Sequence, residues 1–232
     1  MILLLETSTL NCSVALGTPD GEPVLAQEAS GERYLHAEKL HVLIDGLLRE
    51  ASTPKTALTA VAVGRGPGSF TGLRIGVSAA KGMCTGLGLP LLAPCPLIGL
   101  RHQGITSHPG LAASPERVVP AIDARRMELF TLDAEEAPAA TEVDATFRSD
   151  LGEGPALLVG DGAEKCREVL TEHAADWQFL QTHPTAAGLL PEAARLLASG
   201  KTEDVADFEP FYLKAFVAGK PKDPLGLRSA SH

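Results

Sequence analysis

The 232-residue sequence has only four cysteines, Cys12, Cys84, Cys95 and Cys166, and no two of them form a C-x-x-C pair. That argues against a zinc site or a dithiol motif and suits a reducing compartment. Positive charge is also scarce: 20 Lys and Arg against 29 Asp and Glu leave a formal charge of −9. A chain of that sign does not attract a phosphate backbone as a whole, which argues against nucleic-acid binding by the chain alone. No long apolar run is present. MILLLETS at the amino terminus has no basic start and is too short for a signal peptide. GLGLPLLAPCPLIGL is broken by prolines and glycines and reads as strand, turn and helix start, not as a membrane span. A cytoplasmic protein is expected.

Three familiar motifs are missing where they would be sought. GRGPGSFTGLRIG, Gly64 to Gly76, follows an apolar run and precedes a helical pattern. It has no glycine-lysine pair at P-loop spacing. G-x-G-x-x-G fails because Ser69 or Thr71 falls in the third glycine slot. G-x-S-x-G fails because Phe70 stands at the centre of GSFTG. What remains is a tight turn at Gly66, Pro67 and Gly68, with Ser69 or Thr71 as a helix cap, and backbone amides that could hold an anion.

What is present is a globular composition, 44% apolar and 21% charged. MILLLETST, NCSVALGT and EPVLAQEAS read as three strands joined by hairpins. Tyr34 to Ala51 changes to helical period, with Leu40, Leu43, Ile44, Leu47 and Leu48 on one face. LTAVAVG is a strand feeding the loop. Leu73, Val77, Ala80, Cys84 and Leu87 then mark a second helix, and PLLAPCP a short strand. The order β-β-β-α-β-α-β predicts a mixed sheet. HPGLAASPE reads as loop and marks a boundary, giving domains at 1–104 and 105–232. RVVPAIDAR and MELFTLDA suggest a further hairpin, and EEAPAATEVDATFRSD an irregular stretch. ALLVGDG reads as a strand followed by a helix from about Ala163, and TAAGLLPEAARLLASG as another helix. FEPFYLK starts an extended tail that packs back on the first domain, and GKPKDPLGLRSASH is frayed.

The second helix is unusual in its small residues, Gly72, Gly76, Ala79, Ala80, Gly82 and Gly86. Each interior glycine costs roughly 1 kcal/mol relative to alanine, so close approach of another backbone is expected, from the preceding helix or from another chain. His36 and His41 are five apart, which puts them on different faces and disfavours a shared metal. Glu6 ends a strand, where a carboxylate could meet a metal-bound water or hydrogen-bond near a loop. Asp123 reads as an ion pair with Arg125 and Arg126, and Asp161 as a turn residue. No Ser/His/Asp or Cys/His constellation assembles from spacing.

LLLETSTLNCSVAL, GRGPGSFTGLRIG, PAIDARRMELF and FYLK, in that order, resemble the bacterial TsaB (YeaZ) family along nearly the whole chain, least so from Ala134 to Leu157. The resemblance implies an α/β fold of two tandem ribonuclease-H-like domains of the actin/Hsp70/sugar-kinase class, with mixed sheets and a reduced second domain. It implies a non-catalytic subunit in the transfer of a threonylcarbamoyl group from threonylcarbamoyl-AMP to the adenosine beside the anticodon of ANN-decoding tRNAs. The implied partners are TsaD, TsaE and, without TsaD, a second copy. tRNA is met only through the complex. No cofactor binds the chain alone, with ATP at the complex interface. Pairing through the two helices assigns Leu40, Leu43, Leu47, Gly72, Leu73, Gly76, Val77 and Ala80 to the interface, and Arg65, Ser69, Thr71 and Arg74 to loop contacts. No catalytic residue and no metal ligand is assigned. Glu6-Thr7-Ser8 departs from the D-x-[ST] turn of nucleotide-binding relatives, and the His36/His41 spacing departs from the H-x-x-x-H of the catalytic ones. An independent phosphotransferase or peptidase of the same superfold would need the pair or nucleophile that the sequence does not supply.

Overall fold

A computed structural model describes residues 1–31, 33–170 and 174–214. The first half is built on one five-stranded sheet. Its strands are β1 (Ile2–Glu6), β2 (Cys12–Gly17), β3 (Pro23–Ala29), β4 (Ala60–Val63) and β5 (Leu91–Leu92), in the order β3-β2-β1-β4-β5. β1 runs antiparallel to β2 and parallel to β4, so the sheet is mixed, as the element order predicts. Every residue of β1 is buried, because both faces of the sheet are covered.

Period-two alternation divides those faces. Leu3, Leu5, Val14, Val61 and Val63 point to α1 (His36–Glu50) and α2 (Phe70–Leu87) and pack on Leu40, Leu47, Val77 and Ala80. Ile2, Leu4, Ala60 and Ala62 point the other way. Three alanines, Ala15, Ala60 and Ala62, make that face shallow. It is covered by a helix from the far end of the chain, through Leu190, Ala193 and Ala194.

α3 (Pro96–Ser107) leads out of the first sheet and lies on the second. Gly104 lets it come close to Val118 and Val159. β6 (Val118–Pro120), β7 (Ile122–Asp123), β8 (Glu128–Leu132), β9 (Pro138–Glu142), β10 (Leu157–Val159) and β11 (Gln178–Leu180) follow. They form a parallel sheet β11-β10-β6 and an antiparallel sheet β7-β8-β9. The covering helix is α4 (Leu190–Ala198).

Three expectations need correction. RVVPAIDAR is two strands and not one: β6 pairs parallel with β10, a ladder that the Ala121 amide extends by donating to the Val159 carbonyl at 2.8 Å, and only β7 forms the expected hairpin with β8. The stretch expected to be irregular contains β9, an edge strand whose alternation is weak because only one side is partly covered. Asp133 Oδ1 accepts from the Glu135 and Ala137 amides and closes the turn into it. Directly after β10 the chain forms a 3₁₀ turn, Glu164–Cys166, where a helix from Ala163 is expected. The frayed segment GKPKDPLGLRSASH lies outside the described residues.

Residues 203–214 form a strap over the first half. The Glu203 amide donates to the Leu91 carbonyl at 2.9 Å. Lys81 Nζ donates to the Ala206 and Phe208 carbonyls. The Phe211 amide donates to the Arg65 carbonyl at 2.7 Å. Lys214, the last described residue, reaches the Ala124 carbonyl and Glu128.

Candidate functional site

The glycine-rich stretch lies over the turn between β1 and β2. Gly64, Gly68, Gly72 and Gly76 stand four residues apart. A Cβ on any of them would come well under 3.0 Å from, in order, Glu6 Oε2, the Ser8 carbonyl, the Thr7 carbonyl and Thr7 Oγ1. The glycines exist because backbone and side chains of residues 6–8 occupy the space. Two hydrogen bonds hold the layers together: the Ser69 amide donates to the Ser8 carbonyl at 2.7 Å, and the Gly64 amide to the Leu5 carbonyl at 3.0 Å. Ser69 caps α2 by accepting from the Gly72 amide at 3.3 Å. Gly66 has φ +106°, a value only glycine adopts without strain.

Glu6 is fully buried beneath Gly64 and Pro96. Its Oε1 accepts from the Ser8 amide at 2.6 Å, and its Oε2 has no partner among the described residues. Burial pushes its carboxyl up to about 7, with hydrogen bonds from Ser8 and Thr7 opposing part of the rise. His36, also buried, fixes the same turn from α1. Its Nε2 lies 2.8 Å from the Thr9 carbonyl, so Nε2 carries the proton. Burial lowers its pKa.

A pH dependence follows. Unfolded, Glu6 ionises near 4.5; folded, near 7. Between those values the unfolded chain releases a proton that the folded chain keeps, so stability falls as pH rises through the window. The full swing is on the order of 3 kcal/mol. His36 has the opposite sign, its depressed pKa favouring the fold as pH rises through the ordinary histidine range. Glu6→Gln is therefore expected to gain on wild type progressively from about pH 4.5 to 7. Urea denaturation of both proteins across that range checks it, and parallel curves would refute it.

On their outer side α1 and α2 leave a groove. One part, about 640 Å³, is lined by His36, Ala37, His41, Arg74, Ile75, Ser78, Ala79, Gly82 and Met83. It continues into a part of about 350 Å³ bordered by Lys55, Gly86 and Leu87. Gly82 and Gly86 differ from the inner glycines: among the described residues a Cβ there would meet nothing within 4 Å.

The family described as "TsaD: tRNA N6-adenosine threonylcarbamoyltransferase" matches residues 32–151. The chain is 32% identical to the tRNA threonylcarbamoyladenosine biosynthesis protein TsaB of Escherichia coli, over 94% of this chain and 96% of that one. The chain belongs to the TsaB (YeaZ) family. A TsaB of Haemophilus influenzae is 30% identical over 94% of this chain and 95% of its own length. The solved structure of YeaZ from Pseudomonas aeruginosa superposes with TM-score 0.73 at 28% identity, covering 91% of this chain and 99% of that one.

In this TsaB-family chain the residues expected at an interface are turned inward. Leu40, Leu47, Gly72, Leu73, Gly76, Val77 and Ala80 are buried within the chain, and Leu43 is half-buried against the same core. The close partner of Gly68, Gly72 and Gly76 within the chain is the 6–8 turn, with His36 of α1 also against Gly72. Positions 72, 76 and 80 differ by two residues from 74, 78 and 82, about 200° around the helix, so the two sets point oppositely. Gly82 and Gly86 signalled the outer face in the sequence, but their merging with Gly72 and Gly76 hid it. His41, Ser78 and Met83 carried no signal.

The loop residues divide. Ser69 is the cap, and Thr71 is exposed. Arg65 lies with its guanidinium 5.6 Å from the Phe211 ring centre. Arg74 borders the groove. Asp123 pairs with Lys165, 42 positions away, not with its neighbours; it accepts only the Arg125 amide at 2.8 Å. Asp161 Oδ1 accepts the Asp123 amide, joining β10's end to β7. Among the described residues no group of three or more His, Cys, Asp or Glu is placed to hold a metal. No helix among them is long and apolar enough to cross a membrane.

Proposed function

We propose that this chain is a non-catalytic subunit of the machinery that makes threonylcarbamoyladenosine in tRNA, and that it acts by pairing with a TsaD-type transferase. The observation that carries the reading is the outer face of α1 and α2. Gly82 and Gly86 each forgo roughly 1 kcal/mol of helix propensity with none of the described residues within 4 Å of where their Cβ would be. Space beside exposed glycines lets a second helix approach closely. The burial of Glu6 supports the non-catalytic part: a carboxylate with no exposed surface cannot reach a metal or a phosphate.

The reading includes two tandem ribonuclease-H-like domains, 1–104 and 105–232, with α3 as the connection and α4 returning to the first sheet. TsaE and ATP join at the complex interface, tRNA is met through the complex, and a second copy takes the groove when TsaD is absent. Four free, buried cysteines agree with a cytoplasmic setting. The test is reconstitution with cognate TsaD, TsaE, ATP, tRNA and threonylcarbamoyl-AMP, scored by mass spectrometry of the nucleosides. Modified adenosine is expected only when the chain and TsaD are both present. Product formed by this chain without TsaD would overturn the non-catalytic reading, and product without this chain would overturn its role as a subunit.

A further inference from the structure

We infer that Arg74 selects the partner: it is a cation set in advance at the mouth of the groove, shaped to take a carboxylate from a helix of a different protein. This rests on the reading that the groove is the pairing face.

Two contacts fix Arg74, and a third joins the residues that make them. Its guanidinium lies 4.2 Å from the Phe70 ring centre. Its Nε donates to the Tyr212 hydroxyl at 3.3 Å. Tyr212 in turn packs on Phe70 with ring centres 4.9 Å apart. The strap thus braces a side chain at the end of the α2 row formed by Arg74, Ser78 and Gly82, beside the apolar Ile75, Ala79 and Met83. No carboxylate among the described residues lies within ion-pair distance of Arg74. A guanidinium held on an aromatic platform loses little freedom on binding and keeps its terminal nitrogens for a forked contact. Tyr212 and Phe70 are positioning residues; Arg74 makes the contact.

Charge complementarity favours another protein over a second copy. α2 has no acidic residue. On α1, Glu38 pairs with Arg33, Asp45 with Arg49, and Glu50 accepts from Gln27. A carboxylate of α1 on a second copy would therefore have to leave Arg33, Arg49 or Gln27 to reach Arg74. A different protein with an acid-tipped apolar helix brings one without that loss.

The test is calorimetric titration of the full-length chain with full-length cognate transferase at about 50 and about 300 mM salt, with melting curves for every variant. Arg74→Gln is expected to weaken binding about 10- to 100-fold and to flatten the salt dependence, with its melting point unchanged. Tyr212→Phe, which keeps the ring packing, is expected to weaken it several-fold by the same salt-dependent route. If Arg74→Gln binds like wild type while the groove-blocking Gly82→Leu does not, this inference fails and the pairing face stands. If both bind like wild type, the pairing face is wrong and the inference falls with it. A loss with an unaltered salt slope also overturns it, since Arg74 then acts by packing. Unchanged pairing with lost ATP binding by the complex would assign Arg74 to a phosphate and overturn it too.

Discussion

Gly72→Ala is expected to destabilise the chain by about 3 kcal/mol or more, while Gly82→Ala, ten residues along the same helix, stabilises it by up to about 1 kcal/mol. Helix propensity favours alanine equally at both positions, so the difference isolates tertiary contact. At Gly72 a single methyl group would overlap the Thr7 carbonyl, which belongs to backbone fixed by the sheet, and would press on the His36 ring. Neither can withdraw cheaply. β1 is buried on both faces, and His36 is held by the Thr9 carbonyl. At Gly82 the new methyl meets nothing. Gly76→Leu would be worse than Gly72→Ala, since it adds four carbons against Thr7. Against a typical total stability of about 5–15 kcal/mol, these inner substitutions threaten folding itself. Urea denaturation followed by circular dichroism measures both alanine variants. Equal effects of the same sign at the two positions would refute the assignment of α2's inner and outer faces.

The second large effect is on association. Gly82→Leu is expected to leave the fold intact and weaken pairing with the cognate transferase by about 100-fold or more, since a branched side chain would fill the space a partner helix needs. Light scattering of the chain alone and mixed with transferase measures it, with circular dichroism as the folding control. A folded Gly82→Leu that pairs at wild-type strength would remove the groove from the interface. The position matters to the design. Gly76→Leu would also abolish pairing, but by damaging the contact with Thr7, and that result would say nothing about a partner.

Much of the first hundred residues is legible without coordinates. The apolar runs at β1 and β4, the change from period two to helical period near His36, and the Ser69 cap followed by eighteen helical residues all act over short distances. So does the failure of the glycine-rich stretch to match the phosphate-binding motifs. Four quoted segments were enough to expect the family, and the relatives share the chain along nearly its whole length.

The site was less legible, for a geometric reason. A periodic pattern says which residues share a helix face, but it does not say what the face meets. α2 has glycines in both its halves, Gly72 and Gly76 against Thr7 and Gly82 and Gly86 with no described residue beside them, and in the sequence they look alike. β9 was missed because an edge strand buries too little for its alternation to stand out. Asp123 was paired with its neighbours because the Lys165 that binds it is 42 residues away.

By itself, then, the sequence determined the order of the early elements, the turn at Gly66–Gly68 with a hydroxyl cap at Ser69 or Thr71, and the kinship. Each depends on neighbours within a few residues or on the ordered motifs as a set. Tertiary structure alone decided that Glu6 is buried and raised to about 7, that α4 closes the shallow alanine face of the first sheet, and that the strap braces Arg74 through Tyr212. Those outcomes join residues as much as 190 positions apart, such as Leu4 and Ala194. Burial and contact at such separations are properties of the packed chain, and no local pattern encodes them.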